Sequence, residues 1–448
     1  MRKLFGTDGI RGKANTYPIT AEMALMVGKA AAIVLRNKIK KPKFLIGKDP
    51  RLSGYMLEYA LTSGICSTGA DVLLVGPMPT PAIAHITRSF GADAGIMISA
   101  SHNPATDNGI KLFDATGFKL PDAVEEEIEK LIFKEDLSEY NVPTEQIGRA
   151  YRIDDAKGRY IEFAKASINN NSLKGIKIAL DCANGASYKV SPMIFSELGA
   201  DLVVINAEPD GLNINKNSGA LHPEIVKVVV LENKADIGIS LDGDADRVII
   251  VDEKGNILDG DHLLSIAAIE LKKKNKLAKD TVVVTHYTNL AFDDLMKKHK
   301  INVVRVDNGD RYVLEEMRKK GFNLGGEQSG HIIFSDYNST GDGTISALQI
   351  VNILKGSKKK MSELALLLVK YPQIIVNVNV NEKKDIEKTL LIKKEIISAE
   401  KILGKYGRHL IRYSGTQNLL RIMIEGKDKK IITELANKIA DAAKRELR

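Results

Sequence analysis

The sequence predicts an α/β protein: three related doubly wound α/β domains, then a small α+β C-terminal domain, around one central cleft. Three observations carry this. Short apolar strands alternate with stretches of helical spacing over most of the chain, the pattern of a mostly parallel sheet covered by helices. A weak internal repeat runs through those strands. Gly69-Ala70-Asp71-Val72 recurs as Gly199-Ala200-Asp201-Leu202, and Ala92-Asp93-Ala94-Gly95-Ile96 recurs as Ala235-Asp236-Ile237-Gly238-Ile239; extended without gaps, the second match sets Ser101 opposite Asp244. A fainter copy leads from Lys320-Gly321-Phe322-Asn323-Leu324 into Gly325-Gly326-Glu327-Gln328-Ser329-Gly330. After Tyr371-Pro372 the pattern changes to strict alternation, Val376-Asn377-Val378-Asn379-Val380, which is a half-buried strand.

In chain order, residues 6–12 read Gly-Thr-Asp-Gly-Ile-Arg-Gly. Glycines this dense hold a backbone in unusual conformations or let something approach it closely. Arg11, flanked by small residues, reaches an anion on that reading; a surface turn with a solvated arginine fits the same residues. A helix is expected over residues 20–37, a strand at 44–46, a helix from about Gly54 to Ser67 and a strand over 69–76. Pro79-Thr80-Pro81 then opens another helix, with Pro81 near its first turn. The apolar run Ala94 to Ile98 is a buried strand. The polar stretch 133–150, with Pro143 and Gly148, ends the first domain, so the expected domains are 1–150, 151–255, 256–370 and 371–448. The last closes on an amphipathic helix from about Lys429 to Leu447, with Asp428 as N-cap.

Composition narrows the partners. A hydrophobic fraction of 44% with 27% charged residues is that of an ordinary soluble globular protein. Charge and glycine arrive within the first eight residues, before a signal peptide or membrane span could form. Cys66 and Cys182 lie far apart among small residues and suit buried free thiols in a reducing cytoplasm. The net charge is +8, but the excess lies in short clusters such as Lys272-Lys273-Lys274 and Lys358-Lys359-Lys360, which read as solvated helix ends and turns. With no tryptophan and 5% aromatics there is no stacking platform for single-stranded nucleic acid. The expected partner is therefore a small molecule, with no nucleic acid and no membrane.

Four loops carry chemistry. Ser99-Ala100-Ser101-His102-Asn103-Pro104 puts a hydroxyl just past a buried strand, where open α/β sheets keep their active sites; the same residues are also good turn formers. Asp242-Gly243-Asp244-Ala245-Asp246-Arg247 crowds three carboxylates onto one loop, which is costly without a hard cation such as magnesium. An EF-hand is excluded because its sixth position needs glycine and holds Arg247. Gly325 to His331 joins a flexible backbone to Glu327, Ser329 and His331, a carboxylate and a hydroxyl suited to sugar hydroxyls or an amino group; a glycine turn beside an idle histidine fits as well. In Arg412-Tyr413-Ser414-Gly415-Thr416-Gln417-Asn418-Leu419-Leu420-Arg421, two arginines bracket a tight turn that suits a phosphate, although a plain hairpin also fits. One loop per domain, these are the parts for phosphoryl transfer, which is mostly positioning and charge neutralisation. A magnesium-dependent phosphatase with an aspartate nucleophile competes with this reading. So does a nucleic-acid-binding protein, supported by the lysines alone.

With these motifs in this order, the chain resembles the α-D-phosphohexomutases over essentially its full length. Phe5-Gly6-Thr7-Asp8-Gly9-Ile10-Arg11-Gly12, Gly76-Pro77-Met78-Pro79-Thr80-Pro81 and Gln328 make it look most like the bacterial branch that interconverts glucosamine 6-phosphate and glucosamine 1-phosphate, on the route to UDP-N-acetylglucosamine. The phosphomannomutase/phosphoglucomutase branch is the alternative. The resemblance implies that Ser101 is phosphorylated and that Asp242, Asp244 and Asp246 bind Mg2+ together with it. Arg11, His102, Lys111 and Arg247 would surround the transferring group, with Lys111 or His331 as general acid/base. Glu327 and Ser329 would contact the sugar. Arg412, Ser414, Gly415, Thr416 and Arg421 would grip the phosphate that is not transferring. A sugar 1,6-bisphosphate is the implied intermediate and activator, and a homodimer is the implied assembly. Ala245 and Gln417-Asn418 depart from the Gly and Glu-Pro usual in such relatives.

Overall fold

Residues 4–6, 8–37, 39–134, 136–413 and 418–447 are described by the computed structural model. The chain divides into two units, residues 1–287 with 301–367, and residues 288–300 with 368–448.

Three sheets build the first unit. The first contains β1 (Ile10–Lys13), β2 (Lys43–Lys48), β3 (Asp71–Pro77), β4 (Ala94–Ile98), β5 (Asp107–Asp114) and β6 (Ala150–Arg152), in the order β1-β5-β4-β2-β3-β6. Helices α1 (Ala21–Arg36), α2 (Leu52–Ser67), α3 (Thr80–Ser89) and α4 (Asp122–Ile132) belong with it. The second sheet has β7 (Lys177–Asp181), β8 (Asp201–Ile205), β9 (Ile237–Leu241), β10 (Val248–Asp252) and β11 (Ile257–Leu258), in the order β11-β10-β9-β7-β8, with α5 (Ala156–Ala166), α6 (Val190–Glu197) and α7 (Pro223–Asn233). The third has β12 (Thr281–Thr285), β13 (Asn302–Val306), β14 (Leu324–Gly326) and β15 (Ile332–Phe334), in the order β13-β12-β14-β15. Its part of the chain supplies α8 (Gly260–Lys273), α9 (Leu290–Lys298), α10 (Asp310–Lys320), α11 (Gly343–Ser357) and α12 (Met361–Ala365), of which α9 belongs to the second unit.

The strands β2, β3 and β4 are parallel, as are β7, β8 and β9 and likewise β12, β13 and β14. The expected parallel core is present, with one addition. In each sheet a central strand runs into a polar loop and returns antiparallel: β4 into β5, β9 into β10, β14 into β15. The gapless repeat carries β4 directly onto β9. Ser101, Asp244 and Ser329 are each the third residue past their strand. All three loops also contain a left-handed residue, Ser101 (φ 53°), Ala245 (φ 58°) and Gly330 (φ 91°). The repeat in the sequence is thus one hairpin device used three times.

The second unit has an antiparallel sheet of β16 (Gln373–Asn379), β17 (Gly407–Tyr413) and β18 (Leu419–Gly426), in the order β16-β18-β17. Helices α13 (Leu390–Leu403) and α14 (Lys429–Glu446) pack on it. Val376 and Val378 point toward the core while Asn377 and Asn379 are exposed, as the alternation predicts. Asp428 caps α14, its carboxylate accepting from the backbone N–H of Lys430 and Ile431 at 2.8 and 3.1 Å. Cys66 is half-buried, Cys182 buried, and both are free. Among the described residues no helix is long and apolar enough to cross a membrane.

Candidate active site

The Ser101 loop is held from beneath by a fully buried arginine. Arg51 pairs with Asp49 at 2.8 Å and donates to the carbonyls of Ser101 (3.0 Å), Asn103 (2.9 Å), Asp107 (3.1 Å) and Pro104. Asp49 also accepts from Ser99 Oγ at 2.6 Å, and Ser99 Oγ accepts from Ser101 N–H at 2.9 Å. From the second sheet's side, Asn215 Nδ2 donates to the carbonyls of Ser101 (2.9 Å) and Asn103 (3.0 Å). These bonds satisfy the carbonyls of a buried turn and over-determine the left-handed backbone at Ser101. With the backbone fixed, Ser101 Oγ donates to Asp242 Oδ2 at 2.7 Å. His102 Nδ1 lies 3.4 Å from the same hydroxyl. Burial, with Arg247 and Arg11 next, pushes the His102 imidazole down to about 4.

Asp242, Asp244 and Asp246 bring one carboxylate oxygen each within 4.8 Å of one another, and all three residues are buried. Asp244 Oδ2 accepts from Thr80 Oγ1 (2.6 Å) and Lys111 Nζ (2.8 Å). The other oxygen, Asp244 Oδ1, and Asp246 Oδ1 are buried with no hydrogen-bond partner. Burial and the adjacent Asp246 and Asp244 push Asp242 well above the ordinary carboxylate range, and burial and Asp244 push Asp246 up as well. Burial also opposes ionisation of Asp244, but the Lys111 charge and the bonds from Lys111 and Thr80 outweigh it and hold its pKa low. Close, dehydrated, partly unbonded carboxylate oxygens fit a hard divalent cation, which would relieve both the repulsion and the missing bonds.

Lys111 and Arg11 reach this loop because the return strand puts them there. Lys111 is on β5, beside Met97 of β4, and Arg11 is on β1, opposite Gly109 of β5. Burial opposes the Lys111 charge, but Asp244 and Asp8 outweigh it and raise its pKa far above the usual value. The Asp242–Arg247 and Gly325–His331 loops are joined through their backbones: Arg247 bridges His331, and Val248 N–H donates to Gly330 O at 3.1 Å.

Arg11, Asp246, Arg247, Glu327 and His331 line one cavity of about 470 Å³, together with Asp8, Asn308 and Asp310. Ser101, 2% exposed, is not among the lining residues; Asp242, its hydrogen-bond partner, links it through the triad to Asp246 of the cavity wall. Glu327 Oε1 accepts from Gly309 N–H at 3.1 Å. Ser329 is exposed and is not among the lining residues. Gln328 Nε2 donates to Asp261 Oδ2 of α8 at 3.3 Å, so it braces the loop from behind. In the second unit, Arg412 and Arg421 face each other in register across β17 and β18, both exposed. Ser414, Gly415 and Thr416 lie outside the described residues.

Sequence reasoning missed Asp8, Thr80, Lys119 and Asp310 at this site, and Arg51 and Asn215 beneath it. Thr80 carried a signal, since it sits in the Pro-Thr-Pro segment, where a hydroxyl at a helix start invites a carboxylate.

The sequence profile of phosphoglucomutase/phosphomannomutase alpha/beta/alpha domain I matches residues 2–139, domain II residues 158–255, domain III residues 259–371, and the C-terminal domain residues 375–442. A protein named phosphoglucosamine mutase from Geobacter sp. (strain M21) is 54% identical over 448 residues, covering 100% of this chain and 99% of that one. One of the same name from Nitratidesulfovibrio vulgaris (strain DP4) is 48% identical, covering 100% of both. Among solved structures, a phosphoglucomutase/phosphomannomutase family protein from Burkholderia thailandensis superposes with a TM-score of 0.81 at 24% identity, covering 99% of this chain and 97% of that one. An N-acetylphosphoglucosamine mutase from Aspergillus fumigatus, in complex with GlcNAc-6P and magnesium, gives 0.67 at 21% identity, covering 100% and 96%. These two likenesses bear on the fold.

Proposed function

The chain belongs to the phosphoglucomutase/phosphomannomutase family through all four of its domains, and from that premise we propose that it interconverts glucosamine 6-phosphate and glucosamine 1-phosphate. The observation that carries the reaction type is Ser101 Oγ at 2.7 Å from Asp242, within the buried aspartate triad and beside the cavity of Glu327 and His331. The domains are assigned as 1–150 for the phosphoserine, 151–255 for the metal, 256–370 for the sugar and 371–448 for phosphate.

Phosphorylated Ser101 gives its group to the free hydroxyl of the bound monophosphate. The bond from phosphorus to the serine oxygen breaks, a bond to the sugar oxygen forms, and the hydroxyl proton leaves. The sugar 1,6-bisphosphate then turns end for end, and its other phosphate returns to Ser101. Asp242, Asp244 and Asp246 would hold Mg2+, which supplies charge neutralisation at the phosphoryl oxygens. Lys111, locked as a cation between Asp244 (2.8 Å) and Asp8 (3.1 Å), suits the same task alongside Arg11. His331 is buried with both ring nitrogens lacking a hydrogen-bond partner, which suits it to handle the hydroxyl proton. Arg247 and His102 flank the Ser101–Asp242 pair, and Glu327 is assigned to the sugar. Arg412 and Arg421 are assigned to phosphate in the C-terminal domain, as are Ser414, Gly415 and Thr416, which lie between them in the sequence. The product feeds formation of a nucleotide-activated amino sugar.

The test is turnover of glucosamine, glucose and mannose phosphates with Mg2+ and a trace of sugar bisphosphate. Glucosamine phosphate should win in kcat/KM. Ser101→Ala should lose turnover by about a thousandfold or more while its unfolding curve stays put. Near-normal turnover in that variant would sink the phosphoserine mechanism. Release of free phosphate in place of isomerisation would sink the mutase reading.

A further inference from the structure

A chain of alternating charges crosses the cavity wall between the first and third sheets. Arg11 Nη2 pairs with Asp8 Oδ2, and Lys119 Nζ lies 2.6 Å from Asp8 Oδ1. The same Lys119 nitrogen lies 2.5 Å from Asp310 Oδ2, and that oxygen is 3.6 Å from His331 Nε2. Lys119 follows the turn after β5; Asp310 opens α10, where the free N–H groups of a first turn favour a carboxylate. Lys119 is 14% exposed at the side chain and Asp310 21%, so the pair is largely shielded from water.

His331 is held on its other side by backbone. A Cβ placed on Gly341 would fall 2.5 Å from both Cε1 and Nε2 of the imidazole, so only glycine lets that segment lie flat on the ring. Asp246 Oδ2 approaches Nε2 at 3.9 Å. The ring is thus placed by packing and by facing carboxylates. The first and third domains also meet where Ser339 Oγ donates to Gly117 O at 2.6 Å and Asn338 Nδ2 donates to Pro81 O at 3.1 Å. Of these joints, Lys119–Asp310 is the one whose carboxylate approaches the His331 ring.

We propose that Lys119 and Asp310 are a positioning pair: they fix His331, on the third sheet, against the Arg11–Asp8–Lys111 group, on the first, across the space in which the phosphoryl group moves. The proposal rests on the mutase reading. Neither residue handles the proton itself. Arg311, the next residue of α10, makes a separate clasp on the first domain, to Leu120 O (3.3 Å) and to the Asp122 carboxylate. Its partners Leu120, Asp122, Glu125 and Glu315 lie outside the charge chain, which makes it the control.

The experiment compares Lys119→Met, Asp310→Asn, their double variant, Lys119→Arg and Arg311→Ala in the full chain. In Lys119→Met and Asp310→Asn, kcat should fall by about ten- to a hundredfold, the effect of misplacing a reacting group by about an ångström, with KM almost unchanged. The double variant should be no worse than either single one, because each removes the same joint. Lys119→Arg should recover most of kcat, and Arg311→Ala should stay within about twofold, as a clasp outside the chain must. Calorimetric binding of glucosamine 6-phosphate in EDTA should match the unaltered protein in every variant. The unfolding midpoints of Lys119→Met and Asp310→Asn should fall further than that of the double variant, since each leaves a shielded charge without its partner, so kcat is read well below every midpoint. Full kcat in either single variant overturns the proposal. So does an equal loss in Arg311→Ala, or a loss traced to weaker binding or to unfolded protein at the assay temperature. Absence of turnover in the unaltered chain would instead overturn the mutase reading on which the pair depends.

Discussion

Ala245 stands in the aspartate-triad loop with φ at 58° and no exposed surface. A β-carbon in that region crowds the following carbonyl at a cost of roughly 1 kcal/mol, which glycine does not incur. The loop tolerates it because its carbonyls are tied on both sides: Thr80 N–H donates to Asp244 O at 2.9 Å and Gly343 N–H donates to Ala245 O at 2.9 Å. Ala245→Gly should therefore raise stability by about 0.5–1 kcal/mol, read as a higher unfolding midpoint, with kcat unchanged. A lower midpoint would mean that the buried methyl packs better than the backbone is strained. Ser101 is different. Its φ of 53° is tied down by Arg51 and Asn215, and the strain aims its hydroxyl at Asp242, so relief there would come at the expense of the geometry.

At the scale of elements, helices and half-buried strands were the most legible. The cap of α14 and the alternation of β16 are local signals, written within a few adjacent residues. The return strand β5 was not legible, because Asn108 through Phe113 are buried without a break and no alternation marks a strand covered on both faces. The joint at the start of α11 escaped for a related reason: its partners come from three separate stretches. Asp342 caps α11, accepting from Ile345 N–H at 2.9 Å, and also accepts from Tyr160 of α5 at 3.0 and 3.1 Å and from Asn338 Nδ2 at 3.0 Å. Asn338 reaches on to Pro81 O of α3 at 3.1 Å. Burial pushes the Asp342 carboxyl up to about 6 against these bonds. A carboxyl raised above its unfolded value of about 3.9 favours the folded state when protonated, and that contribution fades as pH rises from about 4 through about 6. Tyr160→Phe removes a donor to the ionised form. It should destabilise by about 2 kcal/mol at pH 8 and by clearly less at pH 5, where the acid is protonated. Equal losses at the two pH values would show that the Tyr160 hydroxyl does not serve the charge.

For the whole molecule, Ser101 and the aspartate triad were legible because each sits in a polar loop directly after an apolar strand, and the strand repeat aligns those loops. The groups that hold them were not. Lys119 lies past the turn after β5 and Asp310 at the start of α10, and only tertiary packing joins two positions 191 apart in sequence. The same packing sets the balance of charge in the triad. Without a cation, Asp242 and Asp246 are both pushed up, so raising the pH forces buried like charges together and costs stability. A bound divalent cation needs those carboxylates ionised, so protons and metal compete for them. Magnesium should therefore raise the unfolding midpoint, with the gain growing as the pH rises through the raised range of Asp242 and Asp246. At a hundredfold excess over its dissociation constant the gain is about 2.7 kcal/mol. Asp242→Asn removes one ligand and one of the repelling charges. In that variant the midpoint without magnesium should rise relative to the unaltered chain at pH 8, and most of the magnesium gain should vanish. A magnesium gain independent of pH, or one that survives Asp242→Asn intact, would place the cation elsewhere than in the triad.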